Sequence, residues 1–121
     1  MKKILIIEDD RMMSRILQNH LAGNEIKFLL ASEANEGIQK AEADNPDLII
    51  LDVALAGQSG IDILKKIKKM PLTASIPVII FTAMDENDII AEAKALGAAD
   101  YIIKGAIPLE QILKRIKKFI E

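Results

Sequence analysis

The chain has no cysteine in its 121 residues, which excludes a disulfide framework, a thiolate nucleophile and a cysteine-ligated metal. Neither sign of charge dominates: 16 basic residues face 18 acidic ones, for a net charge of -2. A domain whose main partner is nucleic acid carries a net basic face, so direct nucleic-acid binding is not expected. No apolar run approaches a membrane span, so no membrane association is expected either. Met1-Lys2-Lys3 before Ile4 briefly imitates a signal peptide, but the apolar run is short and ends in three acids. The expected location is cytoplasmic. No linker, internal repeat or low-complexity stretch interrupts the chain. Half of the residues are hydrophobic, so the chain is folded rather than disordered, and its length suits one domain with a single core.

What is present is a series of short apolar runs, each ending in a polar group. Ile4-Leu5-Ile6-Ile7 ends in Glu8-Asp9-Asp10, and Leu48-Ile49-Ile50-Leu51 ends in Asp52. Val78-Ile79-Ile80-Phe81 ends in Thr82, and Tyr101-Ile102-Ile103 ends in Lys104. Runs of this length between amphipathic stretches predict buried parallel strands. A less apolar strand over Lys27 to Ala31 is expected nearer a sheet edge.

The intervening stretches have helical spacing. Met13, Ile16, Leu17, His20 and Leu21 share one face of a first helix, which Gly23-Asn24 stops. Ser32 to Ala43 predicts a second helix, ending before Asn45-Pro46. Ile61, Leu64 and Ile67 mark a third, starting near Ser59 and closed by Met70-Pro71. Ile89, Ala93 and Leu96 mark a fourth, closed by Gly97. Ile112, Leu113, Ile116 and Ile120 mark a fifth, started near Pro108. Strict alternation of strand and helix predicts an α/β doubly wound five-stranded parallel sheet with right-handed crossovers. The chain stops as its fifth helix ends, so one domain over residues 1–121 with no output domain is expected.

In an open parallel sheet every strand's C-terminal end opens on one edge, where ligands bind. Glu8, Asp9, Asp52, Thr82 and Lys104 should therefore converge. Clustered carboxylates raise one another's pKa unless a cation neutralises them. An all-oxygen set suits Mg²⁺, which shares carboxylates with phosphate. Asp10 or Arg11 could do no more than complement a helix terminus. Asp52 lies too far before the third helix to cap it, and a carboxylate can act as nucleophile towards phosphorus. Thr82 would donate its hydroxyl to a phosphoryl oxygen, and Lys104 would supply a point charge. Taken singly, Thr82 could be a β-branched strand residue and Lys104 a solvated cation.

The pattern resembles the receiver domain of two-component response regulators, with single-domain chemotaxis and sporulation receivers nearest in architecture. The motifs are Ile4 to Asp10, Pro46-Asp47 through Asp52, Ile76-Pro77 through Thr82-Ala83, and Gly97-Ala98-Ala99-Asp100 through Lys104. The resemblance implies a flavodoxin-like (βα)5 sheet of order 2-1-3-4-5. It implies that Asp52 accepts phosphate from a histidine kinase or histidine phosphotransfer protein. Asp9 would ligate Mg²⁺ directly, Glu8 mainly through water, and the backbone carbonyl of Ala54 would be a further ligand. Thr82 and Lys104 would bind the phosphoryl group, and Tyr101 would be the switch aromatic. With one tyrosine and three phenylalanines in the chain, an aromatic at that place is informative. The implied protein is a phosphorylation-controlled switch rather than an enzyme, catalysing only its own phosphoryl transfer and dephosphorylation. Its fourth and fifth helices would face an unknown downstream protein or a phosphorylation-linked dimer.

Several positions depart from the family's pattern. Ala56 stands where proline is common, and Ser59 where an acid often precedes Gly60. Gly105 follows Lys104 where the family usually has proline after a cis bond, so a trans and more mobile loop is expected. Ala54 and Met84 flank the site at positions that set phosphate lifetime, and neither side chain can orient water.

Among the remaining residues, His20 reads as a half-buried packing residue, and as the only histidine it gives no phosphodonor kinase. The pairs Lys65-Lys66, Lys68-Lys69 and Lys117-Lys118 read as solvated helix faces. Of Met12 and Met13, one is expected in the core and the other as an apolar contact for a partner helix. Three other readings compete. A haloacid dehalogenase-type phosphatase needs a second Asp where Ala54 stands. A flavodoxin-like carrier needs a Ser/Thr/Gly-rich loop where Glu8-Asp9-Asp10 stands. A degenerate receiver would bind a partner without phosphate.

Overall fold

The computed structural model of the chain describes residues 1–21, 25–55 and 59–121. The expectations for Gly23-Asn24, Ala56 and Gly57 fall outside these residues. Five strands alternate with five helices: β1 Lys2–Ile7, α1 Arg11–Leu21, β2 Ile26–Ala31, α2 Ala34–Asp44 and β3 Leu48–Leu51 come first. There follow α3 Gly60–Lys69, β4 Val78–Thr82, α4 Asn87–Ala95, β5 Asp100–Ile103 and α5 Leu109–Lys117. All strand pairs are parallel, in the order β2-β1-β3-β4-β5. This is the doubly wound flavodoxin-like fold, and β2 is an edge strand as its mixed composition predicts.

Every side chain of β3 and β4 is buried, which explains why these strands read as continuous apolar runs. Alternate residues feed two cores. Leu5, Ile7, Ile49, Leu51, Val78 and Ile80 pack on one face with α2, α3 and α4 residues such as Ala41, Leu64 and Ala93. Ile4, Ile6, Leu48, Ile50, Ile79 and Phe81 pack on the other with Leu17, Leu21, Ile112 and Ile116 of α1 and α5. Each fully buried Ile or Leu contributes roughly 1.5–3 kcal/mol of transfer free energy.

Some boundaries and burials differ from the sequence reading. α2 starts at Ala34 rather than Ser32, because Glu33 is extended and Glu36 reaches back to accept the Ser32 N–H at 2.9 Å. Regular helix α5 ends at Lys117, yet Ile120 is still buried by the turn that follows. His20 is exposed, not half-buried, with Nδ1 against the Ile16 carbonyl at 2.9 Å. Lys68 is not on a solvated face. Its ammonium donates to the Ile76 and Ala74 carbonyls at 2.8 and 3.3 Å, holding the turn between α3 and β4. Met13 packs against the core while Met12 is 73 % exposed, the division expected for the pair. No helix among the described residues is long and apolar enough to cross a membrane.

Candidate functional site

The strand register aligns the ends of the apolar runs. Ile7 pairs with Leu51, Leu51 with Ile80, and Thr82 with Ile103. The ladder extends one step past the strands: Asp52 N–H donates to the Ile7 carbonyl at 3.0 Å, and Lys104 N–H to the Thr82 carbonyl at 2.7 Å. Residues one position beyond each strand are thereby held side by side at the C-terminal edge. Gly60 anchors α3 close behind. Its N–H donates to the Val53 carbonyl at 3.1 Å, and a Cβ there would overlap Val53 Cα and lie 2.8 Å from Val53 Cβ.

Glu8 and Asp52 are buried, 7 % and 6 % exposed, and Asp9 is exposed beside them. One carboxylate oxygen from each of the three lies within 4.8 Å of the others. Lys104, half-buried, donates to Asp52 Oδ2 at 3.0 Å and forms an ion pair with Glu8 Oε1. Its ammonium also lies 5.5 Å from the centroid of the Phe81 ring, a stacking partner that nothing in the sequence announced. Ala54 N–H donates to Asp52 Oδ1 at 2.8 Å. Thr82 is fully buried, and its hydroxyl accepts the Met84 N–H at 3.3 Å. Asp10 stands apart as the cap of α1, accepting the Met12 and Met13 N–H groups at 3.0 and 3.2 Å.

The electrostatics split the two buried acids. Burial, then the neighbouring Asp52 carboxylate, pushes Glu8 up to about 8 against the pull of Lys104. Burial also works against the Asp52 charge, but hydrogen bonds from Glu8, the Ala54 N–H, Thr82 and Lys104 outweigh it and lower its pKa. Burial disfavours the Lys104 ammonium as well, yet Glu8 and Asp52 hold its pKa above the ordinary value. Of the two, Glu8 is thus the more readily protonated and Asp52 the more readily ionised. Glu8 Oε2 is buried with no hydrogen-bond partner. An oxygen-only set with an unpartnered buried ligand atom suits a hard divalent cation such as Mg²⁺.

Tyr101 is 7 % exposed and turned inward, its hydroxyl donating to the Met84 carbonyl at 2.8 Å. Met84 thus contacts Thr82 through its N–H and Tyr101 through its carbonyl. Sequence reasoning placed Tyr101 near the switch but could not find this partner, because a backbone carbonyl has no side-chain signature. It also missed the clamp of Arg115 on Asp100. Arg115 Nε donates to Asp100 Oδ2 at 2.8 Å and its Nη2 forms a second contact to Oδ1, tying α5 to β5. No cis peptide bond occurs among the described residues, in line with the trans linkage expected after Lys104.

Comparison with known proteins agrees with this arrangement. The family described as response regulator receiver domain matches residues 4–117. The sporulation initiation phosphotransferase F of Bacillus subtilis is 35 % identical over 120 residues, covering 98 % of this chain and 94 % of that protein. The alkaline phosphatase synthesis transcriptional regulatory protein PhoP of the same organism is 34 % identical, and there the chain spans only 48 % of the relative's length. The crystal structure of the phosphorylated cyanobacterial phytochrome response regulator RcpA superposes with a TM-score of 0.87 at 31 % identity, over 98 % of this chain and 92 % of that one. The buried acidic pocket at the sheet edge, the strand order and the match along nearly the whole sequence lead to one conclusion: the chain belongs to the response regulator receiver family of two-component systems, a signalling switch and phosphorelay component rather than a turnover enzyme.

Proposed function

We propose that Asp52 is the phosphoacceptor and that its phosphorylation switches the surface this receiver offers to a partner. The observation that carries the reading is the convergence of Glu8, Asp52, Thr82 and Lys104 from four strands around one ionised carboxylate. In the proposed transfer, an Asp52 oxygen attacks phosphorus, an aspartyl O–P bond forms, and the bond from phosphorus to the donor's imidazole nitrogen breaks. Lys104 would leave Glu8 and hold a phosphoryl oxygen, and the Thr82 hydroxyl would hold another. Glu8, Asp9, Asp52 and the Ala54 carbonyl would hold Mg²⁺. The ion would supply positive charge that lets an anionic phosphate approach an anionic carboxylate.

A histidine kinase or histidine phosphotransfer protein is the proposed donor. Similarity to a sporulation phosphotransferase along 94 % of its length supports a phosphorelay role. The setting is the cytoplasm, where such donors present their phosphohistidine. Movement of Thr82 towards a phosphoryl oxygen would pull Met84 and, through the Met84 carbonyl, Tyr101. Phosphate would thereby shift an equilibrium between two arrangements of the β4–α4 loop, read on the face of α4 and α5 by a downstream protein or a second copy.

Intact mass after incubation with acetyl phosphate tests the reading. One phosphoryl group is expected on the wild type, requiring Mg²⁺ and absent in Asp52→Ala. A folded protein that stays unmodified and does not bind beryllofluoride would point instead to a phosphate-independent binding module.

A further inference from the structure

Three groups meet the ammonium of Lys104: the carboxylates of Glu8 and Asp52, and the ring of Phe81, whose centroid is 5.5 Å away. The rest of β4 before Thr82 is aliphatic, Val78-Ile79-Ile80, and Phe81 is one of three phenylalanines in the chain. Strand pairing sets Phe81 beside Ile102, and both belong to the core shared with α1 and α5. Lys104 lies two positions beyond Ile102, its N–H bonded to the Thr82 carbonyl at 2.7 Å. Side chains two apart on a strand leave on the same face. The lysine stem therefore rises beside the ring. Phe81 is buried and the Lys104 side chain is 17 % exposed, so the contact is largely out of water.

The three partners differ in what the proposed transfer does to them. Glu8 and Asp52 are acids that would hold Mg²⁺, and Asp52 would carry the phosphoryl group. Both must share or give up the ammonium when ion and phosphate arrive. The Phe81 ring has no charge, ligates nothing and keeps its place in the core. Its face attracts a cation electrostatically, the more so where water is excluded. An ammonium is a point charge on a flexible stem, so a fixed contact is needed to hold it while its carboxylate partners change. Core filling alone would be served by any apolar side chain of similar volume. We propose that Phe81 is a positioning residue for Lys104, its ring face keeping the ammonium at Asp52 while the lysine exchanges Glu8 for a phosphoryl oxygen. This role rests on Asp52 being the phosphoacceptor; the contact itself does not.

The test replaces Phe81 by mono-, di- and trifluorinated phenylalanine. Fluorine draws electron density from the ring face and nearly keeps its shape, so packing is retained while attraction for a cation falls stepwise. Two readouts are taken. In untreated protein, the Lys104 Hε resonances are expected upfield of those of the other lysines, shielded by the ring, and should return to the common position in Phe81→Leu. With acetyl phosphate and Mg²⁺, the initial rate of Asp52 labelling should fall with each fluorine, by about threefold at the third. In Lys104→Met, which labels more slowly, the same fluorines should change nothing further. A labelled wild type whose rate ignores fluorine overturns the role of Phe81 and leaves Asp52 as acceptor. So does an equal fall in Lys104→Met, or an ordinary position for the Lys104 resonances. An unlabelled wild type overturns the receiver reading and the positioning role with it, even where the resonances show the contact.

Discussion

Lys104 places its ammonium 3.0 Å from Asp52 Oδ2 and in an ion pair with Glu8 Oε1, joining residues 52 and 96 positions apart. One cation between two buried carboxylates is what allows them to share the site. Lys104→Met leaves both acids without it. Urea unfolding should show a loss of roughly 2 kcal/mol at alkaline pH and a smaller loss near pH 5, where Glu8 holds a proton. Phosphoryl acceptance from acetyl phosphate should also fall.

Glu8 gives a pH dependence of defined sign. Its folded-state pKa of about 8 lies above the ordinary 4.5, so the native state holds this proton more tightly than the unfolded chain. That contribution is fully present below pH 4.5 and is lost as pH rises towards 8. Asp100 acts oppositely: the Arg115 guanidinium lowers its pKa below the ordinary 3.8, giving stability above that value that is lost in acid. Denaturation without Mg²⁺ should therefore show stability declining from about pH 5 to about pH 8. Glu8→Gln should flatten the decline, and saturating Mg²⁺ should raise the wild type most at the alkaline end.

Two glycines are required for different reasons. A Cβ at Gly60 meets backbone, overlapping Val53 Cα and standing 2.9 Å from the Asp52 carbonyl oxygen, so Gly60→Ala must push α3 off the site. A cost of roughly 2–3 kcal/mol is expected, with reduced labelling of Asp52. Gly105 has φ of +81° and nothing within 4 Å of where a Cβ would stand, so its requirement is conformational alone. Gly105→Ala should cost about 1 kcal/mol and leave labelling intact. Thermal melts of both variants, read beside labelling rates, check the contrast.

Tyr101→Phe removes the hydroxyl that holds the Met84 carbonyl at 2.8 Å and little else. Stability should fall by about 1 kcal/mol, and amide shifts should concentrate at residues 82–89. Labelling of Asp52 should persist, since Tyr101 is a positioning residue for the loop and not a partner of the phosphoryl group.

Much of this site was legible because its physics is local. Buried parallel strands must be apolar, so β1, β3, β4 and β5 stood out, and the polar residue ending each run marked the sheet edge. Convergence of Glu8, Asp9, Asp52, Thr82 and Lys104 then follows from parallel topology. Contacts through the backbone left no such trace. Lys68 looks like any helix lysine until the Ile76 carbonyl meets it, and Tyr101 finds Met84 through main-chain oxygen. His20 misled because its spacing fits the apolar stripe of α1, yet its ring turns to the Ile16 carbonyl in solvent while the next residue, Leu21, takes the buried place.

The most direct measurement is to locate the phosphoryl group. Protein treated with acetyl phosphate and Mg²⁺ is reduced with borohydride, which converts an aspartyl phosphate to homoserine, and the digested peptides are sequenced by mass spectrometry. Conversion at Asp52 alone, abolished by leaving out Mg²⁺, is the predicted result. Conversion at Asp9 or Asp10 instead, or at Asp52 regardless of Mg²⁺, would contradict the account.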